Sequence, residues 1–333
     1  MSTVLVTGGA GYIGSHVVKE LLRQGDHPIV YDNLQAGHRE AVQNAPLVEG
    51  DLADSEKLRQ TLRSFSIQSV MHFSADSLVG ESVKDPLKYF KNNIKNSIQL
   101  LEIMDEEEVR EIVFSSSAAV YGEPTQIPIS EEHPCIPTNP YGETKWIFEK
   151  VLRAFNKAGK VDFVSLRYFN AAGADPEGEL GEDHANETHL VPLAIKAALT
   201  GTALSVLGTD YPTPDGTCIR DYIHVTDLAQ AHILALRRLL QGGGSGIYNL
   251  GNGNGYSVRE VIQATEKVTG KKIKSIESSR RAGDPARLVA SSEKIRRELG
   301  WTPGFPELDK IIETAWNWHR KHPNGYNSKA HGA

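Results

Sequence analysis

Short apolar runs alternate with amphipathic stretches through the first half of the chain. Val4-Leu5-Val6, Ile29-Val30-Tyr31, Leu47-Val48, Val70-Met71-His72-Phe73, Ile112-Val113-Phe114 and Phe163-Val164-Ser165-Leu166 are brief and rich in β-branched or aromatic residues. Runs that are apolar at successive positions fit strands covered on both faces. Between them, Val17-Val18-Leu21-Leu22 and Leu87-Phe90-Ile94-Leu101 recur at helical spacing. This β-α-β-α order predicts an α/β fold built on a doubly wound parallel sheet.

After about residue 170 the rhythm changes. Residues 171–188 are dense in Gly, Pro, Asp and Glu and read as a long loop of the kind that serves a ligand or a lid. A helix is expected near Leu190–Leu199, a short strand at Leu204–Leu207 and a turn at Tyr211–Gly216. A long helix is expected within Asp221–Leu240, and another buried strand at Ile247–Leu250. Ser257-Val258-Arg259-Glu260 has the form of a capping box and starts a further helix. The acidic run Asp105–Glu108 reads as a solvated helix end.

Composition narrows the class. A length of 333 residues suggests two domains, or one with an appended lobe, and 39% hydrophobic with 23% charged residues excludes disorder. The net charge of −6, with no dominant basic block, argues against a general nucleic-acid binder. Cys135 and Cys218 cannot build a disulfide framework and fit a reducing compartment. No apolar run approaches the roughly 18 residues of a membrane span, and no signal peptide precedes the first strand, so a cytoplasmic protein is expected.

Chemistry begins at the first strand. It runs into Thr7-Gly8-Gly9-Ala10-Gly11-Tyr12-Ile13-Gly14 and then a helix, which is the context a pyrophosphate-binding glycine loop needs. Without Cβ atoms the backbone approaches a phosphate closely, and the helix N-terminus offsets its charge. The second run ends at Asp32, 18 residues beyond Gly14, where a carboxylate accepts ribose hydroxyls and repels a 2′-phosphate. NAD is therefore expected over NADP. Asp51-Leu52 follow the third run, placed to hold an adenine; Gly251–Gly255 reads as a turn.

Asn139-Pro140-Tyr141-Gly142-Glu143-Thr144-Lys145 opens another helix and puts Tyr141 and Lys145 on one face. A phenol of pKa about 10 is a poor base at neutral pH, but a nearby ammonium and a positive nicotinamide ring both favour phenolate. A Tyr and a Lys at this spacing also arise by chance. The preceding strand adds weight, because Ser115-Ser116-Ser117 sit at its carboxyl end, where open α/β sheets bind ligands. A Ser117 hydroxyl can bridge the tyrosine and a substrate hydroxyl; Ser115 alone reads as a strand-end group satisfying backbone.

Together Gly8-x-x-Gly11-x-x-Gly14, Ser117 and Tyr141-x-x-x-Lys145 resemble the extended short-chain dehydrogenase/reductases. Longer strings resemble the UDP-glucose 4-epimerases (UDP-galactose 4-epimerases) among them. These are TGGAGYIGSH from Thr7, VGES from Val79, FSSSAAVYG from Phe114, LRYFN from Leu166, DYPTPDG from Asp210, RDYIHV from Arg220, YNLG from Tyr248 and RRAGDP from Arg280. The resemblance implies a Rossmann-type NAD-binding domain over 1–169, with returning segments near 220–251. Residues 170–333 would then form mainly a smaller mixed α/β lobe for a UDP-sugar.

It further implies epimerisation of UDP-galactose and UDP-glucose at C4 through a transient 4-keto sugar, with no net redox. Tyr141 would be the base, Ser117 would orient the sugar hydroxyl, and Lys145 would hold the nicotinamide ribose and depress the phenol pKa. NAD would lie against Gly8, Gly11, Tyr12, Ile13, Gly14, Asp32, Asn33, Asp51, Leu52, Phe73, Ser74, Ala75, Asn92, Ser115, Tyr141, Lys145, Tyr168 and Phe169. The substrate would meet Ser117, Tyr141, Asn170, His189, Leu190, Ser205, Leu207, Arg220, Arg281, Asp284 and Leu288. Read alone, the two arginines are surface ion pairs and Asp284 a turn carboxylate. A homodimer joined through the helices of Asn92 and Tyr141 is also implied.

Some positions depart from the family pattern. Ser77 replaces a lysine near the cofactor, His189 an asparagine near the phosphates, and Leu207 an aromatic residue at the uracil. Leu288 occupies a pocket-size gate at which tyrosine would block a 2-acetamido group, so UDP-N-acetylhexosamines are further candidate substrates. Two other enzymes on this scaffold were weighed. A 4,6-dehydratase needs an added Asp-Glu pair, where this chain has Ser117-Ala118-Ala119; a UDP-glucuronate 4-epimerase needs a carboxylate clamp that the sequence does not advertise. A non-catalytic dinucleotide sensor would not need both Tyr141 and Lys145. No H-E-x-x-H or C-x-x-C spacing occurs, and His184, His189, His224 and His232 look scattered, so no metal is expected.

Overall fold

The structure is a computed structural model and describes residues 1–280 and 284–326. Strands β1 (Thr3–Thr7), β2 (His27–Asp32), β3 (Leu47–Glu49), β4 (Ser69–His72), β5 (Glu111–Ser117) and β6 (Asp162–Tyr168) alternate with helices. The helices are α1 (Tyr12–Arg23), α2 (Ser55–Ser64), the short α3 (Val79–Lys84) and α4 (Pro86–Tyr89), α5 (Asn96–Glu106) and α6 (Pro140–Lys157). The second half supplies β7 (Asn170–Ala172), α7 (Leu190–Thr200), β8 (Leu204–Leu207), β9 (Ile219–His224), α8 (Val225–Leu240), β10 (Gly246–Leu250) and β11 (Gly255–Ser257). It ends with α9 (Val258–Thr269), β12 (Ser275–Ser278), β13 (Arg287–Leu288), α10 (Glu293–Leu299) and α11 (Leu308–Lys321).

Seven parallel strands form one sheet in the order β10-β6-β5-β4-β1-β2-β3. The order reverses between β1 and β4, which opens a crevice at the carboxyl ends of these strands. Alternation along each strand explains the two cores. Val4 and Val6 join Val17, Leu21, Leu228 and Leu236 under α1 and α8, while Leu5 faces Leu58, Leu100, Met104 and Phe148 under α2, α5 and α6. Both faces are covered, as the unbroken apolar runs require.

A second, smaller layer is organised around β9. It pairs with β7 and β13 in parallel and with β11 antiparallel, while β8 and β12 form a separate parallel pair. Helices α7, α9 and α11 pack on one another beside it. Among the described residues no helix is long and apolar enough to cross a membrane.

One predicted helix needs correction. The stretch Leu87–Leu101 is not one regular helix; α4 passes into a π-helical segment, Phe90–Lys95, before α5. The helix expected within Asp221–Leu240 is α8, and it is preceded by a fully buried strand, Ile219–His224, that the pattern did not predict. Asp221 and His224 mask that strand in the sequence. Asp221 is buried, and its carboxylate accepts the backbone N–H groups of Asn252, Gly253 and Ala290. Gly251–Gly255 is the turn that supplies two of these donors, as expected of it.

Beneath the sheet edge lies a buried ionic network. Glu149 of α6 receives two bonds from Arg167 of β6, at 2.9 and 2.6 Å, and one from Ser116 of β5 at 2.6 Å. Arg167 also donates to Tyr121, which donates to Asn249 of β10. Removing one member strands a dehydrated charge, at a typical cost of about 3–5 kcal/mol. Arg167→Met should therefore lower stability by about that amount in urea denaturation, and Glu149→Leu/Arg167→Met should recover most of the loss.

Candidate active site

Close backbone packing shapes the loop after β1. Gly8 has φ of 72°, and a Cβ there would lie 2.6 Å from the Ser74 nitrogen; one on Gly14 would lie 2.2 Å from the Gly8 carbonyl oxygen. Only glycine lets the loop nest against the end of β4 and α1 begin so near the strand. Gly11 caps α1 without a side-chain bond, so the first turn presents backbone N–H groups to the crevice. A cradle that any Cβ would fill, at the positive end of a 12-residue helix, fits a dinucleotide pyrophosphate.

Asp32 stands at the end of β2, as expected, and has a second task. Its carboxylate accepts the backbone N–H of Ala10 at 3.0 Å and of Leu34 at 2.9 Å, tying the glycine loop to β2. Burial raises its pKa and these two bonds oppose the rise. Asn33 bonds Asp51 at 2.8 Å, Tyr31 donates to the Asp51 carbonyl, and Leu52 is buried beside them. Tyr12 and Ile13 begin α1, and the Tyr12 hydroxyl donates to the Gly173 carbonyl at 2.7 Å. Phe73, Ser74 and Ala75 follow β4, with Phe73 packed on His232 at 4.8 Å between ring centroids.

The tyrosine and its partners converge at the ends of β5 and β6. Asn139 caps α6 by accepting from Gly142 N at 2.9 Å. A Cβ on Gly142 would sit 2.4 Å from the Ala119 carbonyl oxygen, so the helix start rests directly on the segment after β5. This closeness brings Tyr141 near Ser117, whose hydroxyl favours the ionised phenol. Lys145 is buried, donates to the Ser115 carbonyl at 2.8 Å and lies 5.8 Å from the Tyr141 ring centroid. Ser115 Oγ and the Tyr168 hydroxyl share a bond of 2.5 Å.

The expected depression of the phenol is not a property of the side-chain pair alone. Burial raises the Tyr141 pKa and the Ser117 hydroxyl works against it; burial lowers Lys145 to about 7. Both charged forms are dehydrated, and among the described residues no carboxylate holds the ammonium. A positive group delivered into the crevice, as an oxidised nicotinamide would be, would lower the phenol pKa.

The lobe residues assemble less tightly. Asn170 of β7 faces Tyr222 of β9, and Leu288 of β13 is in register with Arg220. Arg220 pairs with Asp284. Leu288 packs with Phe169, Ala118 and Tyr121, next to Ser117. Ser205 and Leu207 lie on β8, exposed and half-buried, and Leu190 opens α7. Arg281 lies outside the described residues. Asn92 donates to Asp76 at 3.0 Å from the π-helical segment, and Ser77 is exposed.

Three features escaped the sequence reading. His72, fully buried, bridges Thr7 and Ser97 at 2.7 and 2.8 Å and packs on Phe114 beneath Lys145; burial and the Lys145 charge lower its pKa to about 3. Asn93 ties the π-helical segment to α6 through Thr144. His184 and His189 are not scattered but adjacent, with ring centroids 5.5 Å apart. Burial works against charge on His189, but Glu182 and Glu187 prevail and lift it to about 10.

Residues 4–251 match the NAD dependent epimerase/dehydratase family. The chain is 53% identical over 327 residues to a UDP-glucose 4-epimerase of Halalkalibacterium halodurans, covering 98% of each. It belongs to the NAD-dependent epimerase/dehydratase family. The fold of this epimerase-family chain also matches a UDP-glucose 4-epimerase from Bifidobacterium longum in complex with NAD+ and UDP. That match has a TM-score of 0.93 and 40% identity, covering 98% of this chain and all (100%) of that one. A UDP-Glc/GlcNAc 4-epimerase from Campylobacter jejuni matches with a TM-score of 0.83 and 39% identity, over 96% and 100% of the two chains.

In this epimerase-family site a base acting as phenolate loses activity as pH falls through its pKa. The Ser117 hydroxyl lowers that pKa, so Ser117→Ala should move the acidic limb of the kcat profile to higher pH. It should also cut kcat by roughly 10–1000-fold. A pH-rate titration against wild type measures both.

Proposed function

We propose that the chain interconverts UDP-galactose and UDP-glucose by inverting C4. The arrangement that carries this reading is Tyr141, close to Ser117 and flanked by Lys145 at the carboxyl end of the sheet whose first strand leads into the glycine loop. NAD, when bound, would supply reversible hydride transfer at C4. Gly8, Gly11, Gly14 and Asp32 would hold it.

The protein's own part is proton handling. Tyr141 removes the 4-hydroxyl proton and later returns it, one phenol serving as base and then acid. Ser117 keeps phenol and sugar hydroxyl aligned. Lys145, received by a carbonyl and not by a carboxylate, leaves its positive charge available to stabilise the phenolate. Arg220 and Arg281 suit the diphosphate, Asp284 the uridine ribose, and Asn170 and His189 the edges of the same groove.

Two finer assignments accompany this one. Leu288, smaller than a tyrosine, packs against the cluster that contains Phe169, which supports acceptance of UDP-N-acetylhexosamines; the Campylobacter jejuni protein is named a UDP-Glc/GlcNAc 4-epimerase. Val83 and Leu87 are each 61% exposed, and Phe90 is 36% exposed on the same run of helices. An apolar face there supports a homodimer, which light scattering would test by mass.

Purified protein should convert UDP-galactose to UDP-glucose in a dehydrogenase-coupled assay. Tyr141→Phe should keep bound NAD and lose about 100–10,000-fold in turnover; near-normal turnover would assign the base elsewhere. Wild type should also convert UDP-N-acetylglucosamine. Leu288→Tyr should lose that activity and retain UDP-galactose turnover. Absence of product from the acetylated sugar, with UDP-galactose converted normally, would reject the wider pocket.

A further inference from the structure

The loop between β7 and α7 brings two histidines and two carboxylates together at the end of one segment. The residues are Glu182, His184, Glu187 and His189, within eight consecutive positions. His189 Nδ1 lies 2.6 Å from Glu182 Oε1 and 3.3 Å from Glu187 Oε1. His184 Nδ1 lies 3.2 Å from Glu187 Oε2 and 3.4 Å from Glu182 Oε1. All four side chains place a donor atom within 4.8 Å of the others. From these positions we propose that Glu182, His184, Glu187 and His189 form a closed binding site for one divalent transition ion, with zinc as its natural occupant.

Geometry supports this first. A tetrahedral zinc ion with bonds of about 2.0–2.1 Å separates its ligands by about 3.4 Å. The two His184 contacts, to Glu187 Oε2 and Glu182 Oε1, already have that spacing, and the 2.6 Å contact of His189 with Glu182 would have to open. The ligands are also held from behind. Glu187 Oε1 accepts the backbone N–H of Thr188 and of His189, each at 2.7 Å, which fixes one carboxylate against the start of α7. Tyr12 of α1 packs edge-on against His184 at 6.4 Å.

Electrostatics points the same way. The Glu182 side chain is only 3% exposed and that of Glu187 14%, so two carboxylates share one small volume, in which a bound cation would replace the imidazole protons that otherwise balance them. The positive end of α7 contributes only about half a unit charge against a cation there, less than the two carboxylates supply. His319 and Asp183 also contribute to the field around the cluster. Two imidazoles with two carboxylates suit zinc, whereas magnesium and calcium favour larger, all-oxygen shells. Four protein ligands leave no open position, so the ion would be a clamp holding this loop near Tyr12 and α7, not a participant in the chemistry at Tyr141.

This proposal does not depend on the sugar chemistry, and its test reads the ion directly. Tag-free full-length protein, stripped with a chelator, is titrated calorimetrically with zinc chloride, and zinc-loaded crystals are measured across the zinc absorption edge. We expect one ion per chain, bound tighter than about 1 μM, and an anomalous peak enclosed by the four side chains. His184→Ala and Glu187→Gln should each weaken binding at least tenfold, while Tyr141→Phe leaves it unchanged and millimolar magnesium does not compete. No zinc uptake by wild type, an anomalous peak elsewhere, or equal affinity in both ligand variants would overturn the proposal. The wild-type diffraction measurement decides it even where a variant fails to fold.

Discussion

Lys145 carries its ammonium into a dehydrated position at the end of β5, where a backbone carbonyl receives it. Much of the surrounding structure serves that placement. Phe114 lies beneath the ammonium at 5.0 Å, His72 is kept neutral by burial, and Tyr141 stands one helical turn away. A carboxylate in this spot would quench the charge, and the pair would become an ordinary ion bridge. The nearest buried carboxylate on α6 is instead at Glu149, where Arg167 and Ser116 engage it fully. Separation of the two functions along one helix leaves the first turns for chemistry and the next for anchorage.

Sequence pattern was enough to locate the main sheet because its strands are covered on both faces by apolar side chains. The positions proposed for a site on that sheet follow from the same pattern. A glycine loop, an acid at the next strand tip, and a serine, tyrosine and lysine sit where strand order and helical spacing put them. Asp32 showed the limit of this reasoning. Its position was clear, but its bond to Ala10 depends on how the loop folds back, which spacing does not encode.

The misreadings share a physical origin. β9 is buried yet contains Arg220, Asp221 and His224, each satisfied by groups from other segments, so its polarity hid the strand. The π-helical segment differs from a regular helix by the register of its hydrogen bonds, to which apolar periodicity is insensitive. The Glu182–His189 cluster failed to register because its residues lie in an irregular loop. Proximity there is set by the turn at Ala185–Asn186 and by Glu187 bonding its own following backbone, not by a helical or strand repeat.

β13 is only two residues long, and its Leu288 sits directly opposite Arg220 in a parallel ladder. One rung therefore joins the side chain proposed to set sugar breadth to the one proposed to grip the nucleotide. On that proposal, bulk added at the first would bear on the backbone pairing that carries the second, and sugar breadth and nucleotide grip would be coupled through a single rung.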